Sequence, residues 1–294
     1  MDWGARAGKR KNNYLCQKKM KRILRLIALT AFFLCPAAAQ RPSWPPEPWL
    51  LYGRVNHWAD SPKTLKQEVR LMARNGLDGY MIELAGWAAP WTDQWSDAWL
   101  RETERRYARL LKMCRRRNLV LFVSIVNDNM GRGKYGDTGP ALEQVYSQAL
   151  QLMQVVRKHG ADHVVVQPVA ETQTQAGRNF ETDCVRALQG FTLAYNGGGG
   201  FPDRTPEGFH CRAVHPAHIG TAVPQGVMAV SDHGILIREL AADHSLDGPA
   251  SADRLTQWVE NMKRMHVKAI GYYAFQRQEL DRTAIVTLGK CKRP

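Results

Sequence analysis

The sequence predicts an α/β fold of the (β/α)8 TIM-barrel class that is irregular in its second half. Eight apolar runs alternate with helical segments, and the runs are mostly continuous, as expected for parallel strands that are covered on both faces. About 255 residues follow residue 39, which is the usual size of such a barrel. A doubly wound open sheet is less well supported, because no GxGxxG follows the first strand.

Residues 1–39 are predicted to be an N-terminal extension and a secretory signal peptide. The stretch "MKRILRLIALTAFFLCPAAAQ" has a basic start, an apolar run from Ile23 to Leu34 and an Ala37-x-Ala39 cleavage site. The apolar run is too short to span a membrane. Residues 40–49 form a proline-rich lead-in, and residues 50–294 form the barrel domain. We therefore expect a secreted or periplasmic protein with no stable membrane span after signal cleavage.

The charge balance does not predict a nucleic-acid partner. The chain carries a net charge of +14, with 41 basic and 27 acidic residues. Nine of the basic residues and one acidic residue precede residue 40, so the remainder has a net charge of only +6. Much of the basicity thus belongs to the targeting segment, where it serves export.

Four cysteines follow the predicted cleavage site: Cys114, Cys184, Cys211 and Cys291. In an exported protein they could form two disulfides, in any of three pairings. No cysteine or histidine pair has the spacing of a structural zinc site, and the sequence predicts neither a metal site nor a cofactor.

The first half of the barrel is regular. The first strand is "LLYGRVN", and the helix "SPKTLKQEVRLMARNG" has Ser61 as N-cap, Pro62 as its first residue and Gly76 as its stop. The strand "LDGYMIEL" and the long helical segment "TDQWSDAWLRETERRYARLLKMCRRRN" come next. The strand "LVLFVSIVN", the helix "GPALEQVYSQALQLMQVVRKHG" and the strand "HVVVQPVAE" then complete four strands.

The second half has fewer clear helices. A short helical segment, "NFETDCVRALQG", leads to the strands "GFTLAYN", "HCRAVHP" and "GVMAVSDHG". The seventh strand is predicted to end near Asp232, because only Asp-His-Gly separates it from "ILIREL" and a parallel neighbour needs a longer crossover. The helix "SADRLTQWVENMKRMHV" and the strand "KAIGYYAFQ" close the barrel.

Nearly every predicted strand ends in an ionisable, amide or aromatic side chain, and in a barrel these ends face one mouth. This pattern predicts an active site. The candidate catalytic residues are Glu171, Asp232 and Glu83. The candidate substrate-binding residues are His57, Trp58, Trp87, Asn127, Asn196, His215 and Tyr273; Asp128 also follows the third strand.

Glu171 and Asp232 end the fourth and seventh strands, which lie nearly opposite each other in an eight-strand ring. Two carboxyl groups so placed can flank a glycosidic bond, one as proton donor and the other as nucleophile or base. Structural roles compete with this interpretation: Glu171 capping a turn or pairing with Arg178, Asp232 in an Asx turn, and Glu83 paired with Arg54. Glu239 replaces Asp232 if the seventh strand is misplaced.

Tryptophans are concentrated between the second strand and the following helix. Trp91, Trp95 and Trp99 are four residues apart, which predicts one helical face packed on the barrel. Trp87 precedes that helix, and with Trp58 and Tyr273 it offers flat aromatic faces that suit the apolar faces of sugar rings.

The segments "QPVAET" (167–172) and "AVSDHG" (229–234) resemble the strand ends of the retaining cellulase-like superfamily of glycoside hydrolase barrels. The resemblance implies Glu171 as acid/base, Asp232 as nucleophile and a carbohydrate substrate. The family usually has Asn where this chain has Ala170 and Glu where it has Asp232, so an inverting or substrate-assisted mechanism also stays open.

The leading hypothesis is thus an exported glycoside hydrolase. The first alternative is a metal-dependent barrel, an isomerase or hydrolase, in which Glu83, Glu171, His215, Asp232 and His233 bind one divalent ion. The second alternative is a carbohydrate-binding barrel without catalytic activity, which Ala170 and the missing strand-seven Glu suggest.

Overall fold

The computed structural model describes residues 47–54, 62–85, 96–128, 140–197, 204–215, 222–232, 252–274 and 282–292. Within them, eight parallel strands form a closed barrel in sequence order, which confirms the predicted fold class. The strands are β1 (Trp49–Arg54), β2 (Gly79–Ala85), β3 (Val120–Asn127), β4 (Val164–Ala170), β5 (Thr192–Tyr195), β6 (Cys211–Val214), β7 (Met228–Asp232) and β8 (Ala269–Ala274).

Six helices lie in the described part of the chain. They are α1 (Pro62–Arg74), α2 (Asp97–Arg115), α3 (Pro140–His159), α4 (Gln175–Ala187), α5 (Ala252–Arg264) and α6 (Arg282–Lys292). The described residues between β5 and β6 and between β6 and β7 contain no helix, as the sequence predicted for these two units. β5 and β6 are also the shortest strands, with four residues each.

The start of α2 corrects the interpretation of the tryptophans. Ser96 is the N-cap: its backbone is extended (φ −68°, ψ 151°), and its side chain accepts a hydrogen bond from the Trp99 amide. Trp91 and Trp95 precede this cap and lie outside the described residues, so of the three tryptophans predicted to share one helical face, α2 contains only Trp99. Their spacing of four residues extends beyond the start of the helix. Trp99 alone lies in α2, partly buried against the core.

The barrel interior and the layer between barrel and helices are separate apolar clusters. The interior cluster takes residues from all eight strands, among them Leu51, Met81, Phe122 and Met228. The outer cluster joins the other face of the strands to the helices, with Tyr52, Val123 and Trp258 fully buried. This alternation within single strands places Leu51 inside and Tyr52 outside the barrel.

All four predicted disulfide cysteines are free. Cys114, Cys184, Cys211 and Cys291 are buried as thiols, so the two disulfides that an exported chain could have formed are absent among them. Burial raises the pKa of the Cys114 thiol to about 12 and that of Cys211 to about 11. These cysteines serve as small apolar core residues.

None of the helices in the described ranges combines the length and apolar character needed to cross a membrane.

Candidate active site

Glu171 follows the last residue of β4 and lies at the barrel mouth. Its backbone is in the left-handed region (φ 57°), which is uncommon for a residue with a side chain and often marks a functional position. Its carboxylate Oε1 is 3.9 Å from His215 Nδ1, and both side chains are a little over a quarter exposed. Because His215 directly follows β6, Glu171 extends across the end of β5, toward β6.

A chain of hydrogen bonds inside the barrel fixes His215. The Asn196 side-chain amide, at the end of β5, lies 2.7 Å from His215 Nε2. The same amide is 3.4 Å from Gln167 Oε1, and Gln167 Nε2 donates to Ser124 Oγ at 2.8 Å. Ser124, Gln167 and Asn196 are at most 3% exposed, so this network lies in a region screened from water.

The network determines which ring nitrogen of a neutral His215 carries the proton. The Asn196 amide nitrogen is only a donor, so Nε2 must accept from it and the proton must be on Nδ1. Nδ1 is the atom that faces Glu171. The arrangement therefore points an N–H toward the Glu171 carboxylate, at a distance longer than a hydrogen bond.

Glu83 and Tyr273 lie deeper, on β2 and β8. Glu83 is 7% exposed and pairs in register with Ser124, at the level of the polar network. Tyr273 is 6% exposed and belongs to the interior apolar cluster. Burial, together with the nearby Glu83 charge, holds the pKa of the Tyr273 hydroxyl well above its usual range. Tyr273 is thus packed inside the barrel rather than presented as an open aromatic face.

The other predicted site residues divide into two groups. Asn127 ends β3, is 8% exposed and pairs in register with Ala170, next to Glu171. Asp232 ends β7 and pairs with Tyr273, but its side chain lies outside the described part of the structure. His57, Trp58 and Trp87 lie outside the described residues, as do the alternative residues His233 and Glu239.

Sequence reasoning missed Ser124 and Gln167, and a signal for both was present. Each is a single polar residue inside an apolar strand, in "VLFVSIVN" and "VVVQPVA". Both fall on the inward face, since Ser124 pairs with Glu83 and Gln167 pairs with Ser124. An isolated polar residue at an inward position of a barrel strand needs a hydrogen-bond partner, and here the partners lie on neighbouring strands.

The metal-dependent alternative requires several ligand side chains close together. Within the described residues, no group of three or more His, Cys, Asp or Glu side chains is arranged to hold an ion. Of the five ligands suggested by the sequence, Glu171 and His215 lie 3.9 Å apart. The Asp232 side chain and His233 lie outside the described part of the structure.

Solved structures with the same fold include several glycoside hydrolases. A GH5_18 protein from Bifidobacterium longum subsp. infantis matches with a TM-score of 0.54 at 7% identity, over 82% of this chain and 78% of that chain. A GH5-4 broad specificity endoglucanase from Clostridium acetobutylicum matches with a TM-score of 0.52 at 8% identity, over 82% of this chain and 96% of that chain. A GH5-4 broad specificity endoglucanase from an uncultured bacterium matches with a TM-score of 0.51 at 12% identity, over 81% of this chain and 87% of that chain.

No protein-family model matches the sequence, and no curated protein matches it. At identities of 7–12%, the structural likeness establishes the fold: this chain shares a (β/α)8 barrel with these proteins, the fold that the strand-end resemblance implied.

Proposed function

We propose that this protein is an exported glycoside hydrolase that cleaves a poly- or oligosaccharide, with Glu171 as the acid/base and Asp232 as the second carboxylate. The observation that carries the proposal is the position of Glu171: it follows β4 of a barrel with the glycoside hydrolase fold and lies at the mouth, 3.9 Å from His215.

The chemistry follows from the two strand ends. Glu171 would protonate the glycosidic oxygen as the bond breaks, with His215 beside its carboxyl group. Asp232, on β7, would act from the far side as nucleophile or as base for a water molecule. His57, Trp58, Trp87 and Asn127 would bind the sugar around this pair, while the buried Asn196 would support His215 from below.

The test is hydrolysis of a polysaccharide panel: carboxymethyl cellulose, lichenan, xyloglucan, xylan, mannan and starch. We expect reducing sugar to be released from at least one member. Glu171→Gln should lower that rate by about 10²–10⁴-fold, because the amide cannot donate the proton.

A matched control is Glu207→Gln, which neutralises an exposed carboxylate between β5 and β6 and should leave the rate unchanged. A dinitrophenyl glycoside needs little protonation on departure, so bond cleavage in this substrate should suffer much less from Glu171→Gln. Full turnover of the polysaccharide by Glu171→Gln would reject the assignment. Glycan binding without hydrolysis of any panel member would favour the non-catalytic alternative.

Export is a separate part of the proposal. The signal-peptide anatomy of residues 20–39 supports it. Expression of the full chain in a bacterium that secretes through the general pathway should yield a protein whose N-terminus is Gln40. An intact N-terminus in the cytoplasmic fraction alone would contradict export.

A further inference from the structure

The three residues after Glu171 are bound by two buried acids. A left-handed backbone at a residue with a side chain persists only where the surroundings fix it. The segment that fixes Glu171 is the turn from Thr172 to Thr174, which connects β4 to α4. Asp128 and Glu181 lie beneath this turn and are 0% and 5% exposed.

Asp128 binds the far end of the turn. Its Oδ2 accepts hydrogen bonds from the backbone amides of Gln173 at 2.6 Å and Thr174 at 2.7 Å. Its Oδ1 accepts from the Thr174 hydroxyl at 3.0 Å and from the Tyr146 hydroxyl of α3 at 2.5 Å. One carboxylate therefore ties the turn to the end of β3 and to a neighbouring helix.

Glu181 binds the near end of the turn, from α4. Its Oε1 accepts a hydrogen bond of 2.5 Å from the Thr172 hydroxyl. The Thr172 amide donates to the Asn196 carbonyl at 2.8 Å, and Thr172 also forms a bridge with Gly197. The residue next to Glu171 is thus held both by α4 and by the end of β5.

The space between these groups is filled. A Cβ atom on Gly177, in the first turn of α4, would lie 3.0 Å from the Tyr146 hydroxyl and 3.3 Å from Asp128 Oδ2. Thr174, the N-cap of α4, accepts the Gly177 amide at 3.0 Å. The acids, the turn and the helix start therefore form one packed unit.

We propose that Asp128 and Glu181 are positioning residues that hold Glu171 in its left-handed conformation by clamping residues Thr172 to Thr174. The catalytic part of this inference rests on the proposed function. Neither acid faces the mouth, and each acts only through the turn. Their effect on catalysis should therefore appear in the rate of bond cleavage and hardly in substrate binding.

The first measurement needs no substrate. In the full chain, Asp128→Asn should speed hydrogen exchange of the Gln173 and Thr174 amides at least tenfold. The carbonyl oxygen of Asn is a weaker acceptor for these two amides than a carboxylate oxygen, and its NH2 cannot accept from the Thr174 and Tyr146 hydroxyls that Asp128 Oδ1 binds. Thr172→Val, which removes only the bond to Glu181, should speed exchange across the same turn. Thr172→Ser retains the hydroxyl and should restore the wild-type rates.

The matched control is Thr182→Val. Its hydroxyl is exposed and donates to the Arg178 carbonyl within α4, so exchange in the turn should not change. If Asp128→Asn does not fold, the comparison of Thr172→Val with Thr172→Ser still decides the test. Wild-type exchange in both folded Asp128→Asn and Thr172→Val would overturn the clamp.

The second measurement is catalytic, on the panel polysaccharide with the highest turnover. Asp128→Asn and Thr172→Val should lower kcat at least tenfold with KM changed less than about threefold, and Thr172→Ser should recover kcat. An unchanged kcat in variants whose turn exchanges faster would overturn the positioning role. If the wild-type protein hydrolyses no panel member, the proposed function fails, while the exchange data still decide the clamp.

Discussion

The side chains at the candidate site depend on partners from other strands. Gln167, on β4, joins Ser124 of β3 to Asn196 of β5, and Asn196 in turn sets the proton position of His215. None of these residues is close to another along the chain. The position of His215 beside Glu171 therefore relies on a polar layer that only the closed barrel assembles.

Replacing Gln167 with Leu should destabilise the protein. The variant keeps the apolar stem but leaves the Ser124 hydroxyl and the Asn196 amide with one hydrogen bond fewer each inside the barrel. We expect the free energy of unfolding in urea to fall by about 1–3 kcal/mol. Gln154→Leu, at an exposed position of α3, is the control and should change it little. Equal urea midpoints for the Gln167 variant and wild type would contradict the role of the network.

Two helices of the outer layer share one burial pattern and differ at one position. α1 buries Leu65, Glu68, Val69 and Met72, and α5 buries residues at the same spacing: Leu255, Trp258, Val259 and Met262. Glu68 thus lies where α5 has a tryptophan. Tyr80 of β2 makes this possible, because its hydroxyl donates to Glu68 Oε2 at 2.5 Å. A buried polar side chain is tolerated when such a partner is present.

Tyr80→Phe should therefore destabilise the contact between α1 and β2. The change removes one donor from the fully buried Glu68 carboxyl group, and we expect the unfolding free energy to fall by about 1–3 kcal/mol. A double-mutant cycle with Glu68→Leu isolates the pair, since Tyr80→Phe should cost much less once the acceptor is gone. Additive effects would show that the hydrogen bond contributes nothing.

For the chain as a whole, Glu181 makes stability depend on pH. Burial raises its pKa from 4.5 to about 7; the Asp128 charge also raises it, while the Thr172 hydroxyl and Arg178 oppose the shift. The Glu181 charge in turn contributes to raising the pKa of Tyr146, Tyr195 and Cys184. Between pH 4.5 and 7 the unfolded chain binds fewer protons at this residue than the folded chain.

The free energy of unfolding should consequently fall as pH rises through this window, by an amount on the order of 3 kcal/mol from Glu181. Glu181→Gln keeps an acceptor for the Thr172 hydroxyl and cannot titrate, so its pH profile should lack this decline. Urea unfolding at intervals between pH 4.5 and 8 measures the difference between the two proteins. Parallel profiles would contradict the raised pKa.

The sequence predicted the barrel and the ends of its strands because both depend on local patterns. Continuous apolar runs identified all eight strands, and Glu171, Asn196 and His215 were recognised as residues directly after them. The bonds between strands were not predictable, since they depend on register: Ser124 meets Gln167 only because β3 and β4 pair at that position. The sequence predicts the start of α2 too early for a different reason. The tryptophans spaced four residues apart continue on the N-terminal side of Ser96, where the helix begins.

The four free cysteines determine how this protein reacts with reductants and alkylating reagents. No disulfide joins Cys114, Cys184, Cys211 and Cys291, so a reductant in the medium has no bond among them to break. Cys114 and Cys184 are 0% exposed, so an alkylating reagent can reach these two sulfurs only when the fold opens. The rate at which these thiols are labelled therefore measures how often the native barrel opens, and no cysteine has to be introduced for the measurement.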